Sequence, residues 1–102
     1  MSVLAPFKPH FGTNQVLTPA AASAAVAIGF GDKSIRVCNS GAAVGYFRTG
    51  IAAAGTVTAT AADVPVLPGE SLVIEKPQDH DTLAHISATG TTFQVMSGEG
   101  GI

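Results

Sequence analysis

Ser34-Ile35-Arg36-Val37-Cys38-Asn39-Ser40-Gly41, followed by Val44-Gly45-Tyr46-Phe47-Arg48-Thr49-Gly50, is the stretch on which the fold reading turns. In its first half Ile35 and Val37 alternate with Ser34, Arg36 and Cys38, the period-2 pattern of a strand with one buried face. Asn39-Ser40-Gly41 carries turn chemistry, and Thr49-Gly50 punctuates the end of the second apolar run. The stretch therefore predicts a strand over 34–39, a turn, and a second strand over 44–48.

The same rhythm extends outward from this pair. Turn signals recur about every ten residues, at Gly31-Asp32, Pro68-Gly69-Glu70, Pro77-Gln78-Asp79, Thr89-Gly90 and Ser97-Gly98. Between them, residues 56–61 set Thr56, Thr58 and Thr60 against Val57, Ala59 and Ala61. Residues 71–76 set Leu72 and Ile74 opposite Val73 and Glu75. Residues 82–87 form a strand that contains His85, and 91–96 bring Phe93 and Val95 to one side. Short strands with regular punctuation predict an all-β domain, a single antiparallel β-sandwich of the jelly-roll kind with about seven or eight strands. Residues 19–27, Pro-Ala-Ala-Ala-Ser-Ala-Ala-Val-Ala, admit a short helical turn or an extended segment. No large apolar stripe supports the helix, and an extended segment is the expectation.

The first nineteen residues differ. Pro6, Pro9 and Pro19 exclude a helix interior and a central strand, and Phe7 and Phe11 stand among polar residues with no period. They read as a frayed terminus or as an extended arm. The expectation is the arm, over residues 1–19, with Phe7 and Phe11 anchored on a neighbouring subunit and residues 20–102 as the β-sandwich. On that reading, removal of residues 1–18 leaves the β domain folded.

Composition narrows the function. Only 12% of the chain is charged, about half of what soluble domains carry. A domain of 102 residues has much surface to cover, and here Thr, Ser, Ala and Gly cover it. Such an exterior suits contact with other protein. Net charge is −2 with no Lys/Arg cluster, so nucleic acid and anionic membrane are excluded as expected partners. A single cysteine, Cys38, precludes an internal disulfide and suits folding in a reducing cytoplasm. No basic segment followed by an apolar core opens the chain, so no signal peptide is expected.

Catalytic or metal-binding chemistry finds little support. Asp79-His80-Asp81 with His85 nearby joins carboxylates and imidazoles, but the triplet follows Pro77 as a turn and His85 lies in a strand. The His-x-His pair of a cupin-type metal site is missing. Cys38 sits in a strand with Arg36 as its one close cation, a poor setting for a nucleophile. Gly29-Phe30-Gly31 lacks the helix that phosphate binding requires, and Ser23, Ser34, Ser71 and Ser87 lack a nucleophile elbow. No cofactor, metal or catalytic residue is expected. Arg36 and Arg48 hold similar places on two successive strands. Each is either a solvated strand arginine or a structural ion-pair candidate for Asp63, Glu70 or Glu75.

The 34–50 stretch, with its strand centred on Arg36, its Asn39-x-Gly41 turn and its Phe47-Arg48-Thr49-Gly50 end, resembles small β-rich virion structural proteins of tailed bacteriophages. So do Ala61-Ala62-Asp63-Val64-Pro65-Val66-Leu67-Pro68-Gly69, residues 71–76, and Val95-Met96-Ser97-Gly98-Glu99-Gly100-Gly101. The resemblance spans residues 25–101. It implies a capsid decoration or cement protein with a jelly-roll or related sandwich fold, bound to the major capsid protein on the outside of the head. It also implies self-association as a dimer or trimer, and a virion location after synthesis in the host cytoplasm. A head–tail, tail or fibre component is the alternative within the virion. A carbohydrate-binding adhesion module is disfavoured by the lack of Trp and the single tyrosine, Tyr46.

Overall fold

The structure, a computed structural model, describes residues 7–28 and 33–99. Its strands are β1 (Lys8–Pro9), β2 (Gln15–Leu17), β3 (Ala24–Ala27), β4 (Ser34–Asn39), β5 (Gly45–Gly50), β6 (Val64–Val66), β7 (Ser71–Glu75), β8 (Thr82–Ile86) and β9 (Phe93–Glu99). A single 3-10 turn, Ala52–Ala54, follows β5. Sheet A has the order β1-β9-β4-β7, with β2 also paired to β9, and sheet B the order β3-β8-β5-β6. Every pairing is antiparallel. From β2 onward the chain alternates between the sheets, save for the β5–β6 step within sheet B. That is the strand order of a jelly roll, two Greek keys wound into a sandwich.

The core forms where the inward residues of both sheets meet. Ile35 and Val37 of β4, Phe93 and Val95 of β9 and Leu17 of β2 face Phe47, Val66 and Leu83 of sheet B, with Ile28 beside them. Leu72, Ile74 and Val26 pack on the margin. Two large rings fit because glycine makes room: a Cβ on Gly45 would lie 2.5 Å from the Phe93 ring.

Asn39 closes one end of the sandwich. Its side-chain nitrogen donates to the carbonyls of Ala43 and Val66, each at 2.8 Å, and its oxygen accepts from the Gly41 amide at 2.9 Å and the Thr91 hydroxyl at 2.8 Å. Both donors and both acceptor positions of the amide are thus used while the residue is wholly buried. The turn predicted at 39–41 is also the point where sheet A, sheet B and the β8–β9 connection are joined.

Two expectations need correction. Residues 56–61 form no strand: they follow the Ala52–Ala54 turn without a ladder partner and run into the turn at 61–62. The alternation there reflects one covered side, because Val57 lies against Gly50 and Ala59 is buried, its amide donating to Ser23 at 2.8 Å. Second, the described part of residues 1–19 does not reach outward. Lys8–Pro9 and Gln15–Leu17 pair with β9, Leu17 enters the core, and Pro19 is fully buried. Removal of residues 1–18 would strip β1, β2 and the core side chain of Leu17 from the edge of sheet A. The turn expected after Pro77 is present, with Pro77, Gln78 and Asp79 exposed, and its flanks are tied to the fold. Lys76, itself buried, donates to the carbonyl of His80 at 2.8 Å, His80 Nδ1 is 2.7 Å from the Thr49 hydroxyl, and Asp81 accepts from the Ala52 amide. Residues 1–6, Gly29-Phe30-Gly31-Asp32 and 100–102, on which other expectations fell, lie outside the described residues.

Candidate interaction surface

The two sheets treat their outward faces differently. Arg48 on β5, Ala84 on β8 and Ala25 on β3 form one outward row of sheet B. Residues 51–62 cross this face from the end of β5 toward Ser23 and return to β6, and beneath them Ala84 is fully buried and Thr82 nearly so. Arg48 fastens the crossing at its far end. Its Nε and terminal nitrogen both donate to Asp63 Oδ1, at 3.0 and 2.9 Å, while Asp63 Oδ2 accepts from the Thr60 amide at 2.8 Å. At the near end Asp81 Oδ1 accepts from the Ala52 amide at 3.0 Å and the Thr82 hydroxyl at 2.9 Å. Those bonds, the Ala52 amide first, hold the Asp81 carboxyl below its usual range.

Sheet A has no such crossing segment among the described residues, although Ser34 and Gly98 in its third outward row are buried. By register its outward face carries Val16, Gln94, Cys38 and Ser71 in one row, Met96, Arg36 and Val73 in the next, and Gly98, Ser34 and Glu75 in the third. Val16 is 64% exposed and Arg36 and Glu75 are exposed; Cys38, Val73 and Met96 are half-buried. Arg36 and Glu75 are the charged members of these rows. Phe7 covers one corner: its ring lies 2.8 Å from where a Gly98 Cβ would sit. This sequence-predicted anchor is therefore packed on its own domain.

Phe11 is placed very differently. Between Pro9, opposite Gly98, and Gln15, opposite Val95, the edge has residues 10–14 where β9 has only Met96 and Ser97. The surplus bulges outward, turned by Gly12 at φ +86° and by the Thr13 hydroxyl and amide, which both donate to the His10 carbonyl. Phe11 stands at the tip with 89% of its surface exposed. Such a bulge, next to a proline, also prevents another strand from pairing along this edge. Leu67 adds a second large exposed apolar side chain, at 56%, beyond β6.

The remaining candidates serve the fold. His85 lies on the inner face of sheet B, opposite Phe47 and Ala24, and burial lowers its pKa below the ordinary histidine value. Ser23 accepts from Ala59, and Ser87 donates to the Val44 carbonyl at 2.8 Å. Among the described residues no group of three His, Cys, Asp or Glu side chains is placed to hold a metal ion. Among them, too, no helix is long and apolar enough to cross a membrane. Sequence reasoning singled out Arg36 and named Glu75 among its candidate partners, but missed the exposure of Val16 and Leu67 and the joint at Asn39. Only Asn39 left a signal, its Asn-x-Gly turn.

No protein family and no curated protein matches the chain. Among solved structures, the crystal structure of PirA is similar, with a TM-score of 0.54 and 13% identity over 89% of this chain and 97% of that one. A likeness at this identity extends to the fold: a β-sandwich nearly complete in both chains.

Proposed function

We propose that the chain is a virion structural protein of the decoration or cement type, bound to the major capsid protein on the outer surface of a tailed-phage head. One observation carries the reading. A bulge at the edge of sheet A presents Phe11 with 89% of its surface exposed, beside an outward face that the described residues leave largely open. The resemblance of residues 25–101 to small phage virion proteins supplies the setting, and the scarcity of charge accords with an exterior shielded by neighbours.

The mechanism is additive. Each copy inserts Phe11 between or upon capsid subunits, where a rigid aromatic buries a large area at little entropic cost. A single contact of this size is weak. Many copies on one lattice, tied to one another, raise the cost of removing any of them. The test is co-sedimentation of purified chain with empty heads that lack it. Saturable binding of hundreds of copies per head is expected, with Phe11→Ser reducing retention at least about tenfold. A few copies per particle would indicate a tail or head–tail position instead, and no retention of the native chain would refute virion membership.

A further inference from the structure

We infer that the outward face of sheet A is a self-association surface, on which Arg36 of each copy pairs with the partner subunit's Glu75. The register supports this geometry. Ser34 stands opposite Glu75 and Arg36 opposite Val73, so Arg36 and Glu75 project from the same face on neighbouring strands, one pair apart along the ladder. That diagonal is about 7–8 Å. Both side chains are exposed, and neither has an ion-pair or side-chain hydrogen-bond partner among the described residues.

A two-fold axis lying in the face and bisecting that diagonal superimposes each arginine on the other copy's glutamate. The contact is then isologous and forms two Arg36–Glu75 pairs, one for each charge of each copy. Val73 and Met96, the ladder neighbours of Arg36, meet apolar surface and exclude water from the pairs. Charge of one sign at both positions would forbid this arrangement; opposite signs on one small face permit it. An arginine fork on a carboxylate fixes the register, and the surrounding apolar residues supply burial. β7 is the free edge of sheet A, so a second copy reaches Glu75 without hindrance from a further strand.

The face spans four strand positions, about 15 Å across at 4.8 Å per strand and about 20 Å along them, roughly 300 Å². That is small against the roughly 800 Å² per partner of a standard stable interface. The self-contact is accordingly reversible in solution and strengthened on a lattice. This inference rests on the reading of the chain as an assembly subunit, and its test omits head particles so that the two can fail separately.

The full chain is followed by sedimentation velocity between about 10 μM and 1 mM. The native chain dimerises in this range. R36E and E75R, both at exposed positions and checked for unchanged circular dichroism, each weaken the dimer at least about tenfold. An equimolar mixture of the two regains native association, because one copy then offers two carboxylates to two guanidinium groups of the other, and the double variant R36E/E75R associates with itself. A native chain that stays monomeric to 1 mM, single variants that dimerise as the native chain does, or a mixture no better than its components would each overturn the inference.

Discussion

Arg48 and Arg36 occupy equivalent places on consecutive strands, yet one is engaged and the other is not. Arg48 belongs to a face that the chain covers itself: residues 51–62 lie over sheet B and Asp63 meets the guanidinium at 2.9 Å. Arg36 belongs to a face that the described residues leave open, and its carboxylate neighbour Glu75 is equally unengaged. A jelly roll has two outward faces, and here one is closed within the subunit while the described residues leave the other largely open, the face we propose for contact between subunits. Substitutions on the sheet B side should therefore act on folding, and those on the sheet A side on association.

The largest difference is expected from placing an arginine at the centre of each face. Ala84→Arg puts a charge under the 51–62 crossing, where Ala84 has no exposure. It should destabilise the domain by about 3 kcal/mol or more, or unfold it. Val73→Arg, on the uncovered face, should cost less than about 1 kcal/mol. Urea unfolding followed by circular dichroism measures both, and equal losses would erase the distinction between the faces.

Asp63→Ala comes next. It removes the partner of Arg48 and the acceptor for the Thr60 amide together, and a loss of about 1–2 kcal/mol is expected. Arg48→Met should cost less, about 0.5 kcal/mol, because the arginine is half exposed and its pair is screened by water. Limited proteolysis should cut within residues 51–62 faster in both variants, and more so in the first. Arg36→Met, the matched change on the other face, should leave the unfolding midpoint unmoved while weakening self-association.

How far was this division legible beforehand? The β4–β5 pair and the later strands were, because Ile35 and Val37, Phe93 and Val95, and Leu72 and Ile74 alternate cleanly with polar residues. Such alternation records which side of a segment is buried. It does not record what does the burying, and residues 56–61 illustrate the gap. Val57 and Ala59 are covered by an underlying sheet rather than by a ladder and an opposing sheet, so the pattern of a strand appears without one. The N-terminal segment hid for the opposite reason. Pro9 and a bulge around Gly12 broke the period that Lys8–Pro9 and Gln15–Leu17 would otherwise have shown. Arg36 and Arg48 were noticed because charge is rare in this chain, but which of them would find Asp63 depended on the return path of residues 51–62, a tertiary fact.

The smallest effect separates the sheets by pH. His85 faces inward from sheet B and burial depresses its pKa. Below its ordinary value of roughly 6.5, the unfolded chain binds a proton that the folded chain does not, so unfolding becomes easier as pH falls through that value toward the lowered one. Above it the contribution is complete and stability is flat. Asp81 adds to the same side: its lowered carboxyl contributes stability above the ordinary aspartate range, and that is lost as pH falls through its folded value. The Asp81 loss lies below the ordinary aspartate range, so near pH 5.5 it is His85 that acts, and hydrogen exchange there should quicken in β8 and β5 before β4 and β9. His85→Leu should abolish the first of these pH effects.

The division of the faces is most directly tested by hydroxyl-radical footprinting of the native chain, free and assembled. Phe11 at the bulge and Met96 and Cys38 on the sheet A face should lose reactivity on assembly, while Tyr46, on the outward side of sheet B, keeps it. Protection of Tyr46 with Met96 and Cys38 still reactive would place the contact on the wrong face and contradict the account.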